Sequence, residues 1–291
     1  MGGLTPNPTS FTDTLRGWAD ALVGFMGRVV TFAGEVMERF GDAVNAADGI
    51  ARKYRWGIST SWPLYLLMAL GDMAARGVPY HEFESALMEF YSCENWHEVE
   101  SLIASTCEYQ SVSLLRRKIL RDTVVMIRAG ERDGFNAAAF AVPTLFAQLE
   151  GILREYSSAT LGLVDTPAKT VSVKNIVPAL AAVASPIERP SLDVITNLLF
   201  KSYKAGEPPR GQRFSRHLFN HGRATEPGKT SYVVRLLLMI DQVAYLIDKA
   251  RGVDSHAVQF RSSWADTLSS ARQIGSNSPA GLPTAPGENS G

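Results

Sequence analysis

The residues whose types suit chemistry concentrate in one short stretch, 213–223, which reads Arg-Phe-Ser-Arg-His-Leu-Phe-Asn-His-Gly-Arg. It holds three arginines and two of the five histidines in the chain. Histidine changes charge near neutral pH and can accept or donate a proton. Arginine stays charged and can hold a phosphate through two parallel hydrogen bonds. The stretch therefore predicts either acid–base chemistry at an anionic group or the binding of one.

The overall charge adds nothing to this local patch. Twenty-nine basic and 29 acidic residues give a formal net charge of zero, so the chain as a whole does not attract nucleic acid or an anionic membrane. Any contact with nucleic acid must come from a local cluster, of which 213–223 is the clearest. A smaller basic–aromatic cluster lies at 49–59. Such clusters can stack on bases, although they are more often solvated connectors with one anchored tryptophan. Its charged and aromatic members are Arg52, Lys53, Tyr54, Arg55 and Trp56.

Neither a metal nor a cofactor is predicted. His217 and His221 are four residues apart and could share a helix face, but no glutamate lies between them as in a metalloprotease motif, and no third ligand is nearby. Cys93, His97 and Cys107 match no common zinc spacing. We interpret these three as buried small side chains and a surface histidine.

The remainder of the chain shows helical patterns. Apolar residues recur at steps of three and four, which is typical of amphipathic helices, and no alternating strand pattern occurs, so we predict an all-α fold. Proline and glycine at the expected ends mark several boundaries. Helices are predicted over about 13–44, from Pro63 to about 76, as two short segments within 80–108, from Ser113 to a turn at 130–134, over about 135–156, near 177–183, from Ser191 to about 205, and over 231–251.

Two of these helices carry residues to which we assign specific contacts. Glycine inside a helix costs roughly 1 kcal/mol relative to alanine, so Gly151 predicts a close approach by another backbone or a ligand. Glu150 beside it is either a solvated charge or a polar residue directed at 213–223. We also assign Phe140 to the apolar face of this helix. The apolar stripe of the preceding helix includes Leu114, Leu115 and Val125.

Compartment signals indicate a cytoplasmic protein without a membrane span. Cys93 and Cys107 are too few for a disulfide framework and suit a reducing environment. The first residues lack the basic and apolar regions of a secretory signal. No run of 18 or more apolar residues is present.

The hexapeptide Arg216-His217-Leu218-Phe219-Asn220-His221 resembles the Arg-x(4–6)-His motif of the HEPN superfamily, whose members are helical bundles. The longer string to Arg223, together with the stretches 116–120 and 148–153, is similar to a group of bacterial HEPN-like proteins. The resemblance covers roughly 110–252. It implies a HEPN-like domain of about four core helices there, preceded by an N-terminal helical region, 1–108, of unknown role. The Gly/Ser/Asn/Pro-rich tail, 275–291, is predicted to be disordered.

The same resemblance implies a metal-independent endoribonuclease. In that interpretation RNA is the substrate, Arg216 binds phosphate and stabilises developing charge, and His221 is the acid or base. A toxin, stress or phage-defence role follows from the family alone, with an antitoxin or regulatory protein as a further partner. The supporting residues are His217 and Asn220, with Glu150 as an orienting group and Arg213 and Arg223 as flanking phosphate contacts.

The spacing of the motif also bears on oligomeric state. On a continuous helix Arg216 and His221 are about 140° apart, so they would not converge within one chain. HEPN proteins usually pair two motifs across a two-fold axis, which predicts a homodimer here. Two alternatives stay open: a non-catalytic module that binds nucleotide, RNA or a protein, and a scaffold whose arginines and histidines cap helices or bind a buried carboxylate. Whether the chain is an enzyme is therefore an open question from sequence.

Overall fold

The computed structural model describes residues 11–26, 33–57, 59–163, 171–200, 214, 216 and 228–277, and only the backbone at 20–26, 33–38 and 274–277. Every regular element in these ranges is a helix, and no strand occurs among them. The prediction of an all-α fold is confirmed.

The helices follow one another with short connections. In chain order they are α1 (Phe11–Met26), α2 (Ala33–Lys53), α3 (Leu64–Ala75), α4 (Tyr80–Thr106), α5 (Leu114–Asp133), α6 (Ala138–Leu161), α7 (Val173–Val183), α8 (Arg189–Val194), a π-helix (Ile195–Leu199), α9 (Thr230–Ala250) and α10 (His256–Asn277).

Proline and glycine set several of these ends, as predicted. Pro63 immediately precedes α3 with an extended backbone (φ −68°, ψ 155°), where the N–H that proline lacks has no helical partner to lose. Gly134 ends α5 with a left-handed backbone (φ 74°), a conformation that costs glycine little. These boundaries depend on local backbone chemistry, so the sequence is sufficient to place them.

Helix α4 is two helical segments joined by a break, which confirms the prediction of two short helices within 80–108. Four residues, Cys93–Trp96, leave the helical conformation. Helix α5 satisfies the polar groups that the break exposes. Arg128 donates to the carbonyl oxygen of Asn95 from Nε (2.8 Å) and Nη2 (2.5 Å), and the Trp96 indole N–H donates to Glu131 (2.7 Å).

Helix α9 lies at the centre of the molecule. It packs mainly against α6 and α4, and every residue from Val233 to Asp248 is buried. Near its end, the Asp248 carboxylate accepts hydrogen bonds from the backbone N–H groups of Gln110 (2.6 Å) and Ser111 (2.9 Å), which fixes the turn that leads into α5. Buried side chains from both sides of residue 108 belong to one continuous apolar cluster.

Among the described residues, α9 is also the helix whose length and apolar composition would suffice to cross a membrane. Its most apolar 18-residue window has a mean hydropathy of 1.4, and 89% of that window is buried inside the protein. A mostly buried core helix of a folded protein passes the same test.

Two predicted boundaries are wrong. The helix expected to end near 44 continues as α2 to Lys53, because buried Ala47, Ile50 and Ala51 extend its apolar face; residues 27–32 of that predicted helix lie outside the described residues. Ser191 does not cap a helix. Helix α8 begins at Arg189 with proline in its first turn, and Ser191 is buried inside it.

Two further expectations fail on packing. The sequence patterns predicted no helix after residue 251, whereas α10 spans His256–Asn277; residues beyond 277 of the tail lie outside the described part. Several apolar side chains assigned to core-facing stripes are instead exposed, because α5 and α6 each leave one face uncovered by the described residues. They are Leu114 (81% exposed), Leu115 (69%), Val125 (64%) and Phe140 (64%).

Candidate functional site

The basic stretch is anchored by an apolar side chain. Phe214 is 3% exposed, and its ring stacks on Tyr232 of α9 with centroids 4.3 Å apart and planes 22° apart. The ring of Phe146 of α6 lies 5.5 Å away on another side. Phe214 therefore fixes the start of the stretch against the two helices that form the centre of the fold.

Two residues further on, Arg216 meets Glu150 of α6. Its Nε lies 2.6 Å from Oε2 of the carboxylate. The Nε atom has no hydrogen-bond partner, so this contact is an ion pair without a well-directed hydrogen bond. The side chain is 38% exposed, and its Cζ lies 6.0 Å from the ring centroid of Phe200. Arg216 is thus held on one side while part of its guanidinium faces solvent.

Glu150 is not a solvated charge. Its side chain is 13% exposed, and Oε1 accepts hydrogen bonds from Nε (3.0 Å) and Nη2 (2.8 Å) of Arg154, one turn along α6. One carboxylate therefore lies between the guanidinium groups of Arg154 and Arg216. This geometry suits the orienting role expected of Glu150, because both charges that the carboxylate compensates lie beside the basic stretch.

Gly151 has the close neighbour that its position predicted, and that neighbour is a side chain. A Cβ at this position would lie 2.4 Å from Nη2 and 2.6 Å from Nη1 of Arg116. Arg116 reaches across from α5 and donates to Gln148 (2.7 Å) and Glu155. The glycine therefore makes room for an arginine that ties α5 to the outer face of α6.

Arg213, His217, Asn220, His221 and Arg223 lie outside the described residues, so their predicted roles stay predictions. The same holds for a metal held by the two histidines of the stretch. Among the residues that the structure describes, no group of three or more histidine, cysteine, aspartate or glutamate side chains is arranged to hold a metal ion.

Arg235 is a functional candidate that the sequence analysis missed. It lies on α9 and is 4% exposed, yet its guanidinium contacts aromatic rings and not a carboxylate: Cζ lies 4.5 Å from the ring of Trp56 and 5.2 Å from that of Phe214. Nη2 makes a long hydrogen bond (3.4 Å) to the Tyr80 hydroxyl, and Nε has no partner. Burial lowers the pKa of Arg235 and raises that of Tyr80 to about 12. An arginine within the apolar run 233–240 of α9 was the available signal.

Arg235 also joins the two segments that the sequence singled out. Trp56 belongs to the basic–aromatic cluster at 49–59, and Phe214 belongs to the basic stretch. Their rings contact the same buried guanidinium. The two clusters, far apart in sequence, therefore share one packing unit beneath the surface.

The described residues line two cavities of ligand size. The first, of about 550 Å³, is bordered by the end of α2, the start of α7, α8 and the π-helix; we call it the basic pocket. The second, of about 470 Å³, lies between α3, α4 and α10 and is bordered by aromatic rings and by Glu98, whose pKa is raised by burial. Neither Arg216 nor Glu150 lines either cavity.

Comparison of the chain with protein-family models, with curated proteins and with solved structures finds no match. The chemistry of the site must therefore be argued from its own residues.

Proposed function

We propose that the chain is a metal-independent endoribonuclease of the HEPN type, in which Arg216 binds phosphate and His221 transfers a proton. The observation that carries the proposal is the pairing of Arg216 with the nearly buried Glu150 at 2.6 Å, while 38% of the arginine side chain stays exposed. An arginine fixed on one side and open on the other has donors left for a phosphate oxygen.

The reaction needs three groups. A base removes the proton of the RNA 2′-hydroxyl, the resulting oxygen attacks the adjacent phosphorus, and an acid protonates the departing 5′-oxygen. A cation stabilises the charge that develops on the phosphorane. Arg216 supplies the cation, oriented by Glu150. His221 supplies the base or the acid, and the second copy of the motif in a homodimer supplies the other, so no metal takes part in the proposed steps.

A second candidate function is RNA or nucleotide binding without cleavage. It is favoured by two observations: Arg216 already has an ion-pair partner, and it lines neither cavity. In this case Arg216 and its neighbours grip phosphate, and the histidines hydrogen-bond but transfer no proton. The biological setting of either function, as a toxin, stress or phage-defence protein with a regulatory partner, comes from the motif alone.

Purified protein incubated with total RNA and a chelator tests the proposal. We expect cleavage by the wild type, and a loss of about 100-fold or more in rate for His221→Ala and Arg216→Ala, since one general acid–base group contributes 10²–10⁴-fold. Glu150→Gln keeps the shape of its side chain but removes the charge that orients Arg216, so we expect an intermediate loss. His81→Ala, at an exposed histidine of α4, is the matched control and should cleave like the wild type.

Equal RNA patterns for the wild type and His221→Ala would contradict the ribonuclease. Fluorescence anisotropy with a labelled RNA on the same proteins then decides the second candidate. Binding that is weakened by Arg216→Ala but not by His81→Ala supports the non-catalytic module, whereas no binding at all would contradict it.

A further inference from the structure

The basic pocket concentrates positive charge in a protein whose net charge is zero. Three cations from two places in the chain meet around it: Arg52 at the end of α2, Arg55 two residues beyond that end, and Lys174 in the first turn of α7. Among the described residues that line it, Asp193 of α8 is the only acidic one. The lining therefore carries a formal charge of +2 within one cavity.

These cations are available to a ligand. The side chains of Arg55 and Lys174 are exposed, and neither makes an ion pair with a described residue. Arg52 uses Nε to pair with Asp48 (2.8 Å), which holds its side chain in place and leaves its terminal nitrogens without a partner among the described residues. Among the described residues, Asp193 forms no direct ion pair with any of the three.

The backbone that carries Arg55 is held in an unusual conformation. The N–H of Trp56 donates to the carbonyl of Ala51 (2.9 Å), and that of Arg55 to Arg52 (3.0 Å), the two hydrogen bonds of a Schellman motif that ends α2. Arg55 occupies the left-handed position (φ 58°), where glycine is the usual residue because a Cβ is disfavoured there. An arginine at this position is destabilising for the backbone, which indicates that its side chain serves another purpose.

The remaining walls of the basic pocket are formed by the close packing of Gly57 on α8 and by the π-helix. Gly57 (φ 69°) packs so closely on α8 that a Cβ there would lie 2.8 Å from Oγ of Ser191. The far side of the cavity is the π-helix, which presents the polar side chains of Thr196 and Asn197 and the apolar side chain of Leu198. π-helical turns are rare and are often found at functional sites.

We propose that the basic pocket binds a terminal phosphate group, that of a free nucleotide or of an RNA 5′ end. A terminal phosphate carries up to two negative charges and accepts several hydrogen bonds, which matches three cations better than a single carboxylate would. The volume of about 550 Å³ lies within the usual range of small-ligand sites and leaves space for the sugar and base beside Asn197 and Leu198. The site is separate from Arg216, and the proposal does not depend on RNA cleavage.

Calorimetric titration of the full chain with two kinds of probe tests this site. The probes are ADP and a pair of 2′-O-methyl oligoribonucleotides, which lack the 2′-hydroxyl needed for self-cleavage and differ only in a 5′-phosphate or 5′-hydroxyl. We expect saturable binding of ADP, of the 5′-phosphorylated oligonucleotide, or of both, and weaker binding as salt is raised. Which of the two binds identifies the source of the phosphate.

Two variants and a control make the test specific. Arg55→Gly and Lys174→Gln should each weaken binding by about tenfold or more, the usual effect of losing a charged hydrogen-bond donor. Arg55→Gly should melt at a temperature at least as high as the wild type, because glycine relieves the left-handed backbone. Lys118→Gln, which removes an exposed lysine from α5, should change neither property.

The proposal fails on any of three results. They are no saturable binding of either probe at millimolar concentration, equal affinity for the 5′-phosphorylated and 5′-hydroxyl oligonucleotides together with no binding of ADP, or wild-type affinity in both pocket variants. Because the melting temperature of Arg55→Gly is measured alongside, a loss of binding cannot be attributed to unfolding.

Discussion

Arg235 shows how a single residue can matter more than its sequence context suggests. Its guanidinium is buried in α9, pairs with no carboxylate of the described residues, and lies against the rings of Trp56 and Phe214. Contacts between a cation and aromatic rings contribute about 0.5–2 kcal/mol, which offsets only part of the cost of removing a charge from water. Burial accordingly lowers the pKa of Arg235. This residue therefore opposes folding stability while joining the two segments that we associate with phosphate.

Two substitutions of Arg235 test the contributions of its charge and of its volume separately. We expect Arg235→Met to unfold at the same or a higher urea concentration than the wild type, because an apolar side chain of similar length keeps the packing without the buried charge. Arg235→Ala should lose about 2–4 kcal/mol of unfolding free energy through the cavity it leaves. Urea denaturation followed by circular dichroism measures both. If the methionine variant were as unstable as the alanine variant, the aromatic contacts would outweigh the cost of burial.

Residue-scale predictions from sequence were partly right where the chemistry is local. The glycine in the middle of α6 predicted a close approach by a backbone or a ligand, whereas the Arg116 side chain lies there. For Glu150 the sequence left a solvated charge and a contact with the basic stretch open, and the structure shows the contact. Phe214 and Arg235 were missed because each differs from its neighbours in the sequence. Phe214 is an aromatic residue within a basic stretch, and Arg235 is a charged residue within an apolar run. Only packing reveals that the two touch.

At the scale of elements, α10 was missed for a physical reason. Its buried positions follow the helical steps of three and four, but small and charged residues occupy most of them: Val258, Arg261, Ala265, Leu268 and Ala271. A search for large apolar residues does not count alanine or arginine. The helix packs mainly against α2, and Arg261 joins it to α9, since its Nη1 lies 2.5 Å from Oδ2 of Asp241.

The Arg261–Asp241 pair is the central contact of a buried polar network. The guanidinium also donates to Thr60 (2.6 Å), Tyr109 (3.0 Å) and Gln242 (2.9 Å), so one side chain links α10 to α9 and to two connecting segments. The coulombic attraction of Asp241 keeps the pKa of Arg261 above its usual value despite the opposing effect of burial. Asp241 is 0% exposed, so its buried carboxylate depends on Arg261 for charge compensation.

Removing one partner of this pair should be more costly than removing both. We expect Arg261→Met to lose about 3–5 kcal/mol of unfolding free energy, because the Asp241 carboxylate is left buried and unpaired. The double variant Arg261→Met with Asp241→Asn should recover a large part of that loss. Arg132→Met is the control: its ion pair with Asp133 is exposed to solvent, so its loss should leave the unfolding free energy close to that of the wild type. Additive losses in the double variant would show that the two charges are not coupled.

Some element boundaries follow from the local sequence, and others depend on residues far away in the chain. The start of α3 at Pro63 and the end of α5 at Gly134 follow from backbone preferences that the sequence states directly. The π-helix does not, since ordinary helix-forming residues occupy Ile195–Leu199. The break in α4 is stabilised by Arg128, which lies more than 30 residues away in the chain. Features that depend on such long-range partners are not predictable from local patterns.

At the scale of the whole molecule, one continuous core contains side chains from α2 to α10. The described parts of the N-terminal region and of the region that resembles HEPN proteins share it, mainly where α9 packs on α4 and α6. The basic pocket and Arg216 are also connected through this packing: Leu198 lines the pocket, and Phe200, two residues later, contacts the Arg216 guanidinium. The basic pocket and the proposed catalytic arginine therefore contact neighbouring residues of one segment.

The proposed ribonuclease requires two chains, and the surface of α5 offers a place for them to meet. Leu114 and Val125 are eleven residues apart, which places them within about 20° of each other around the helix. They are 81% and 64% exposed, and Leu115 beside them is 69% exposed. Leu114 and Val125 lie on one face with exposed Lys118 and Arg121 between them along the helix, so they offer two apolar contact points for a second copy of the chain. Arg116 ties this helix to α6, so the face lies one helix away from Glu150.

We therefore expect the wild type to be a dimer by light scattering at micromolar concentration, and Leu114→Glu with Val125→Glu to be a monomer. The two glutamates would face each other or apolar surface across a two-fold contact, where an unpaired charge is costly. Phe260→Glu, at an equally exposed aromatic residue of α10, should stay dimeric.

Because each proposed site needs both copies of the motif, the monomeric variant should also lose RNA cleavage while keeping its melting temperature. A wild type that is strictly monomeric, or a monomeric variant that still cleaves RNA, would exclude the composite site.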